Sequence, residues 1–290
     1  MSCSSYCGRF APSPTGALHF GSLLAALASY CDARQHRGKW LLRIEDVDES
    51  RACLDAIDHI KQTLQRYGFH WDDEAPRQSA RTAIYQKALD SLIAQKQVYP
   101  CACSRLQLRD AAIGVSGERI YPGYCKRTPP DATRAPFAWR VIVPDKTFVF
   151  HDRAQGKQTQ NLARDCGDFV LKRRDRYFAY HWAVVIDDTE QGITDVVRGG
   201  DILPLTARHL FLYELIGVTP PNYLHIPIAM TNDGQKLSKQ TLAPPLPDDA
   251  LPVLLEAWRF LGQPQLSPQP KTVEAFWESA PARWDVAAIP

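Results

Sequence analysis

A segment rich in proline and glycine near the start of the chain does most to limit the fold. It covers residues 8–22, and Pro12, Pro14 and Gly16 exclude regular helix and strand from its centre. Good helix formers follow at residues 23–28. The pattern predicts the end of a strand, a tight loop and the start of a helix.

The start of that predicted helix is a candidate phosphate site. His19, Gly21 and Ser22 fall at its N-terminus, where unpaired backbone N–H groups and the helix dipole favour anions. An ordinary surface connection that happens to carry a histidine is the alternative, and the loop alone does not exclude it.

Acidic residues follow the next predicted strand. Residues 40–44 form a short apolar run typical of a buried parallel strand, and Glu45, Asp46 and Asp48 come directly after it. In open α/β sheets, ligands bind beyond the carboxyl ends of strands. Asp48 or Ser50 is also predicted to cap the following helix, while Glu45 faces the pocket.

The rest of the chain alternates between strand and helix patterns. Amphipathic helices are predicted near residues 54–68 and 84–92, and strands near residues 192–201 and 225–229. This alternation predicts a doubly wound α/β fold with a parallel sheet. Between residues 99 and 163 the pattern changes to short strands, which predicts an inserted subdomain.

Three cysteines in that insertion are candidate metal ligands. Cys101 and Cys103 form a tight pair and Cys125 lies downstream, a sulfur-rich set that suits structural zinc. Three structurally idle thiols are the alternative. The spacing leaves the fourth ligand open between Tyr121 and Tyr124.

Cations in the second half are candidates for anion binding. Lys236 and Lys239 fall in a polar loop after the last predicted strand, a pattern that is also common in surface turns. Arg198 ends another predicted strand, and its planar guanidinium suits a carboxylate. An exposed ion pair is the alternative for Arg198. Tyr180 lies in an apolar run, and that pattern alone favours a buried aromatic residue.

Composition limits the class of protein. The chain has 290 residues, 45% hydrophobic residues and a net charge of +2, so any nucleic-acid contact must come from a local patch. No apolar run approaches the ~20 residues that span a membrane, and no secretory signal is recognisable. We therefore expect a cytoplasmic protein that does not contact membranes. As a separate expectation, we take the protein to be a monomer.

Together these motifs resemble the class I aminoacyl-tRNA synthetases over about residues 5 to 240. Residues 18–22 resemble the HIGH signature, and residues 236–240 resemble the KMSKS loop. Residues 9–16 and 42–48 are similar to the glutamyl branch. The similarity is greatest to its short paralogues, the glutamyl-queuosine tRNA(Asp) synthetases, which lack an anticodon-binding domain.

The resemblance implies a division of the chain. It implies a Rossmann-like doubly wound sheet with an inserted zinc-containing subdomain and a short helical C-terminal extension. The expected parts are residues 1–98 and 164–242 for the two halves of the nucleotide-binding domain, 99–163 for the insertion, and 243–290 for the extension.

The resemblance also implies a reaction and its residues. L-Glutamate would be activated by ATP with Mg²⁺ and transferred to queuosine at the wobble position of tRNA(Asp). The expected catalytic residues are His19, Lys236 and Lys239. ATP is expected at His19, Gly21, Ser22 and Lys239. Glutamate is expected at Arg9, Phe10, Ala11, Pro12, Ser13, Glu45, Tyr180 and Arg198. One structural zinc is expected at Cys101, Cys103, Tyr121 and Cys125.

Two other functions remain open at this point. One is a nucleotidyltransferase that adenylylates a small molecule without a tRNA step. The other is a non-catalytic RNA-binding paralogue, which the presence of His19, Lys236 and Lys239 disfavours.

Overall fold

The structure, a computed structural model, describes residues 6–131, 133, 135–229 and 244–290. The strands in these ranges are β1 (Cys7–Phe10), β2 (Lys39–Arg43), β3 (Asp73–Ala75), β4 (Val98–Cys101), β5 (Ala138–Val141), β6 (Thr147–Asp152), β7 (Gly156–Asn161), β8 (Val170–Lys172), β9 (Asp195–Gly199) and β10 (Asn222–Ile226). The helices are α1 (Phe20–Gln35), α2 (Leu54–Arg66), α3 (Thr82–Ala94), α4 (Tyr124–Arg127), α5 (Leu162–Asp165), α6 (Tyr180–Glu190), α7 (Thr206–Leu215), α8 (Ala250–Phe260) and α9 (Val273–Arg283).

Five parallel strands form the predicted doubly wound core. β1 pairs with β2, β2 with β3, and β9 with β10, all in parallel. The backbone N–H of Thr194, just before β9, donates to the carbonyl of Cys7 in β1 at 2.9 Å and so joins the two groups of strands. The order is therefore β3-β2-β1-β9-β10, which confirms the α/β fold with a parallel sheet.

The helix after β2 begins at Leu54, several positions after the residues that were expected to cap it. Its N-cap is Cys53, which makes no side-chain capping bond, so the predicted capping by Asp48 or Ser50 was wrong. Ser50 instead donates to Asp48, which also pairs with Arg173 at 2.7 Å. Leu54, the first helical residue, is 68% exposed because it precedes the buried stripe of the helix.

An antiparallel region is inserted between α3 and α6. β5 pairs with both β4 and β8, while β6 and β7 form a hairpin. The hairpin turn contacts the parallel sheet, because the Arg153 backbone N–H donates to the carbonyl of Tyr223 in β10 at 2.9 Å. The insertion is therefore attached to the core at its tip as well as at its base.

The last two helices pack against the first half of the core. The indole N–H of Trp277 donates to the carbonyl of Tyr67 at 2.8 Å, and that of Trp284 donates to Asp32 in α1 at 3.2 Å. Both α8 and α9 lie in residues 243–290, where a helical extension was expected. None of the described helices combines the length and apolarity needed to cross a membrane.

Candidate active site

His19 caps α1, as expected for the predicted helix start. Its backbone is extended, and Nδ1 of its ring accepts the backbone N–H of Ser22 at 3.3 Å. Because Nδ1 accepts this bond, the ring proton of the neutral imidazole lies on Nε2. The N-terminus of α1 therefore presents a histidine together with the first backbone N–H groups of the helix.

The loop before His19 is tied to the acidic segment after β2. The backbone N–H of Glu45 donates to the carbonyl of Pro12 at 3.0 Å, and that of Cys53 donates to the carbonyl of Pro14 at 2.8 Å. These bonds bring Ser13 and Glu45 to the same end of the sheet. The ring of Phe10 lies in the core instead, stacked on Trp40, with its centroid 6.2 Å from the Trp40 ring centroid.

A cleft of about 890 Å³ lies between the core and the insertion. Ser13, Glu45 and Tyr180 line it, whereas among the described residues His19, Arg9 and Arg198 do not. The basic side chains at the wall belong to Arg51, Arg119, Arg140, Arg173 and Arg208. The cleft therefore combines three of the predicted glutamate-binding residues with a wall of mixed charge, because Asp46, Asp48, Glu118 and Asp168 line it beside the arginines.

A buried ion-pair network lies behind Glu45. Asp188 pairs with Arg43 at 2.7 Å and with Arg9 at 3.3 Å, and Arg43 also pairs with Glu45 at 3.1 Å. Burial raises the pKa of Glu45, although Arg43 and Arg9 oppose the shift. Burial also acts to raise the pKa of Asp188, but Arg43 and Arg9 outweigh it and hold that pKa below its usual range.

Arg198 is buried and bonded to neutral groups. Its Nε donates to His225 Nε2 at 2.9 Å, its Nη2 donates to Thr206 Oγ1 at 2.8 Å, and its Nη1 lies 3.0 Å from His209 Nδ1. Burial and then the Arg198 charge hold the pKa of His209 well below its usual range, so this imidazole is neutral.

No carboxylate in the described part of the chain contacts Arg198 directly. Within those residues no carboxylate lies within 4 Å of its guanidinium, although Arg198 is only 5% exposed. A guanidinium carries five N–H donors, and three contacts leave two of them for a ligand. A buried charge without a counterion is costly, so the arrangement suits a carboxylate that arrives with a substrate.

Tyr180 joins the two halves of the site. It begins α6, lines the cleft, and its ring centroid lies 5.8 Å from that of His209. Burial, followed by the charge of Glu45, raises its pKa, so its hydroxyl stays protonated. The alternative of a plain buried aromatic does not describe a residue at the cleft wall.

The partners of these residues were not predicted from the sequence. Asp188, Arg43, His209 and His225 were not assigned roles, although they contact the predicted Arg9, Glu45 and Arg198. The available signal was the pair Asp187 and Asp188 at the end of an apolar run. Lys236 and Lys239 lie outside the described residues, so their position relative to His19 stays a prediction.

The three predicted cysteine ligands meet in the insertion. The sulfur atoms of Cys101, Cys103 and Cys125 lie within 4.8 Å of one another, and Cys103 Sγ is 3.6 Å from Cys125 Sγ. The Tyr121 hydroxyl lies 3.5 Å from Cys101 Sγ and 3.4 Å from Cys103 Sγ, whereas the side chain of Tyr124 is 47% exposed. The geometry therefore favours Tyr121 over Tyr124 as a fourth group.

These distances suit a tetrahedral metal ion. Zn–S bonds of about 2.3 Å place neighbouring sulfurs about 3.8 Å apart. Arg140 donates to Cys101 Sγ at 3.3 Å, and its guanidinium lies 3.9 Å from the Tyr121 ring centroid. Burial acts to raise the pKa of Cys125, but hydrogen bonds, the largest from Tyr121, lower it to about 7. A guanidinium that donates to a sulfur of the cluster is the kind of outer contact that orients metal ligands.

Comparisons with known proteins agree with this geometry. Residues 7–246 match the family described as tRNA synthetases class I (E and Q), catalytic domain. Glutamyl-Q tRNA(Asp) synthetase of Ectopseudomonas mendocina is 49% identical over 99% of this chain and 96% of the relative. The protein of the same name from Chromobacterium violaceum is 45% identical over 100% of this chain and 97% of the relative.

A solved structure shows the same fold. The glutamate tRNA ligase from Elizabethkingia meningosepticum, crystallised in complex with its amino acid, superposes with a TM-score of 0.77 at 25% identity. The match covers 99% of this chain but 66% of that one, so this chain spans just under two thirds of that ligase's length. The chain belongs to the class I tRNA synthetases of the E and Q type and is a ligase.

Proposed function

We propose that this protein activates L-glutamate with ATP and transfers the glutamyl group to queuosine at the wobble position of tRNA(Asp). The observation that carries the amino-acid part is Arg198, a buried cation whose described partners are all neutral. The names of relatives that are 45% to 49% identical over nearly the whole chain support the acceptor.

In the proposed first step, a carboxylate oxygen of glutamate attacks the α-phosphorus of ATP and pyrophosphate leaves. In such a transfer the protein mainly positions the reactants and neutralises charge. His19, the backbone N–H of Gly21 and the side-chain hydroxyl of Ser22 would hold phosphate oxygens. Lys236 and Lys239 would neutralise the leaving pyrophosphate. Mg²⁺ bound with ATP would supply further positive charge to the phosphates.

The glutamate would lie between the two halves of the site. Arg198 would bind one of its carboxylates, and Glu45, at the cleft wall, would pair with its ammonium group. The Tyr180 hydroxyl and Ser13 would bind its remaining polar atoms. Arg9 would act indirectly, through the network of buried charges that it shares with Glu45 and Asp188.

In the proposed second step, a hydroxyl of the queuosine cyclopentene-diol attacks the carbonyl carbon of glutamyl adenylate. The carbonyl carbon forms an ester bond with that oxygen, and the hydroxyl proton passes to the leaving phosphate. The bond between the carbonyl carbon and the phosphate oxygen breaks, and AMP leaves with its electron pair. The cleft between the core and the insertion is open to such an acceptor.

The insertion would be held by one structural zinc. Cys101, Cys103, Cys125 and Tyr121 would hold it, and its chemical role would be to cross-link the loop after β4 to α4. We also propose the division into residues 1–98, 99–163, 164–242 and 243–290, and a monomer as the working form.

One experiment tests this function against its alternatives. The protein is incubated with ATP, labelled glutamate and tRNA(Asp), either with or without queuosine. We expect glutamate-dependent pyrophosphate exchange and labelling only of the queuosine-containing tRNA. Exchange without any tRNA labelling would favour adenylylation of a small molecule. Absence of exchange would favour a non-catalytic paralogue.

A further inference from the structure

The contacts of Arg198 continue into the insertion. His225, which accepts the Arg198 Nε–H, lies in β10, and its Nδ1 lies 2.6 Å from Oδ2 of Asp152. Asp152 ends β6, next to the turn of the inserted hairpin. Both Asp152 and His225 are fully buried. A continuous line of hydrogen bonds thus joins the hairpin to the residue proposed to bind the substrate carboxylate.

Asp152 fixes which nitrogen of His225 carries the proton. A carboxylate that faces Nδ1 can only accept, so Nδ1 carries the proton and Nε2 keeps its lone pair. Nε2 can then accept from Arg198 at 2.9 Å, and the Thr206 hydroxyl lies 3.3 Å from the same atom. A proton on Nε2 would instead face the Arg198 Nε–H, donor to donor.

Asp152 is itself held in one orientation. Its Oδ1 accepts three backbone N–H groups, from Ala154 at 3.1 Å, Gln155 at 2.9 Å and His225 at 3.2 Å. Oδ1 is therefore committed to the turn and to β10, while Oδ2 is directed to the imidazole. One oxygen therefore holds the orientation of the carboxylate, and the other accepts from the imidazole.

We propose that Asp152, acting through His225, is a positioning residue that aligns the Arg198 guanidinium for the substrate carboxylate. This inference rests on the proposed function, since it assigns a partner to a residue of the same site. Asp152 is not expected to touch the substrate. Its role is to fix the histidine tautomer that lets Arg198 keep a single orientation.

Asp152→Asn is a sharp test because it changes one atom. Three backbone N–H groups require an acceptor, so the amide oxygen of the asparagine would stay at the Oδ1 position. Its NH₂ group would then face Nδ1 and donate to it, which moves the imidazole proton to Nε2 and against Arg198. We expect the glutamate KM in pyrophosphate exchange to rise about 10- to 100-fold, the equivalent of one lost hydrogen bond to a charged group. The ATP KM should change less than about threefold.

Asp145→Asn is the matched control. It removes the same charge just before β6, where Asp145 is exposed and accepts from Asn161 at 2.9 Å. Its glutamate KM should stay at the wild-type value. Equal glutamate KM values for the wild type and Asp152→Asn would overturn the inference. A rise of similar size in the KM values for both glutamate and ATP would also overturn it, because such a rise indicates a general loss of structure.

A second pair of variants keeps the test decisive if Asp152→Asn folds poorly. His225→Gln can place an amide oxygen where Nε2 accepts from Arg198, whereas His225→Met has the same length and no such acceptor. We expect His225→Gln to retain a glutamate KM at least about fivefold lower than that of His225→Met. Identical values would overturn the inference. Wild-type protein that lacks glutamate-dependent exchange would instead refute the proposed function.

Discussion

Replacing Asp188 with asparagine tests how strongly the buried ion pairs behind the site stabilise the fold. Asp188 is 2% exposed and pairs with Arg43 at 2.7 Å and Arg9 at 3.3 Å. The asparagine removes the negative charge and directs an N–H group at one of two guanidinium groups. Arg43 keeps Glu45 as a partner, but Arg9 loses its carboxylate.

The size of the effect follows from burial. Breaking a buried ion pair costs about 3–5 kcal/mol of unfolding free energy. Because Arg43 keeps its contact with Glu45, we expect the lower end of this range, about 3 kcal/mol. An unfolding entropy of about 2.1 cal/mol/K per residue gives about 0.6 kcal/mol/K for a chain of this length. We therefore expect Asp188→Asn to lower the midpoint of thermal unfolding at pH 7 by about 5 °C.

The control is an ion pair of the same type at the surface. Arg66 and Asp248 lie 2.8 Å apart, but Asp248 is 90% exposed, so solvent screens the pair. Asp248→Asn should shift the midpoint by less than about 2 °C. Equal shifts in the two variants, measured by calorimetry in one buffer, would refute the reasoning from burial.

The effect of Asp188→Asn on the midpoint of thermal unfolding should depend on pH. The pKa of Asp188 is lowered in the folded protein, so its stabilisation is present above the unfolded value of about 3.9 and is lost as the pH falls through the folded value. The difference in midpoint between wild type and Asp188→Asn should therefore be largest near neutral pH and shrink below about pH 4. A constant difference down to pH 3 would contradict this assignment.

Three further predictions concern the proposed chemistry. Lys239→Ala should lower pyrophosphate exchange at least ~10²-fold, because it removes charge that stabilises the transition state, and near-wild-type exchange would contradict that role. Arg198→Gln should raise the glutamate KM at least about 30-fold with little change in the ATP KM, and an unchanged glutamate KM would remove Arg198 from the site. Cys125→Ser should abolish the one zinc per chain that metal analysis is expected to find, while Cys53→Ser, at an exposed cysteine outside the cluster, should retain it.

Local sequence patterns predicted the parts of the fold that local physics decides. The apolar run of β2, the stop at the proline-rich loop and the helix start at His19 each depend on a few neighbouring residues. The cysteine cluster was also accessible, because closely spaced cysteines in a short insertion are typical of metal ligands. These features appear where they were expected.

The partners of the buried charges could not be predicted in the same way. Arg9 and Asp188 are 179 positions apart, and they meet where α6, which leads into β9, lies beside β1. Asp188 also lies in α6, whose buried residues include every position from His181 to Asp188, so no polar stripe marks it. Which carboxylate faces which arginine is set by strand order, and strand order is a property of the whole chain.

The buried arginines differ in whether a carboxylate of the protein contacts them. Arg9 and Arg43 share Asp188 inside the protein, and Arg208 pairs with Glu118 at the cleft, so each of these cations has a carboxylate partner. Arg198 is equally buried, but its described hydrogen-bond partners are two imidazoles and a hydroxyl, which orient the guanidinium without placing a carboxylate against it. Desolvating a cation and fixing its direction with neutral acceptors is costly for the free protein. An anionic ligand would offset that cost, which is why we propose Arg198, and not its better-paired neighbours, as the residue that binds the substrate carboxylate.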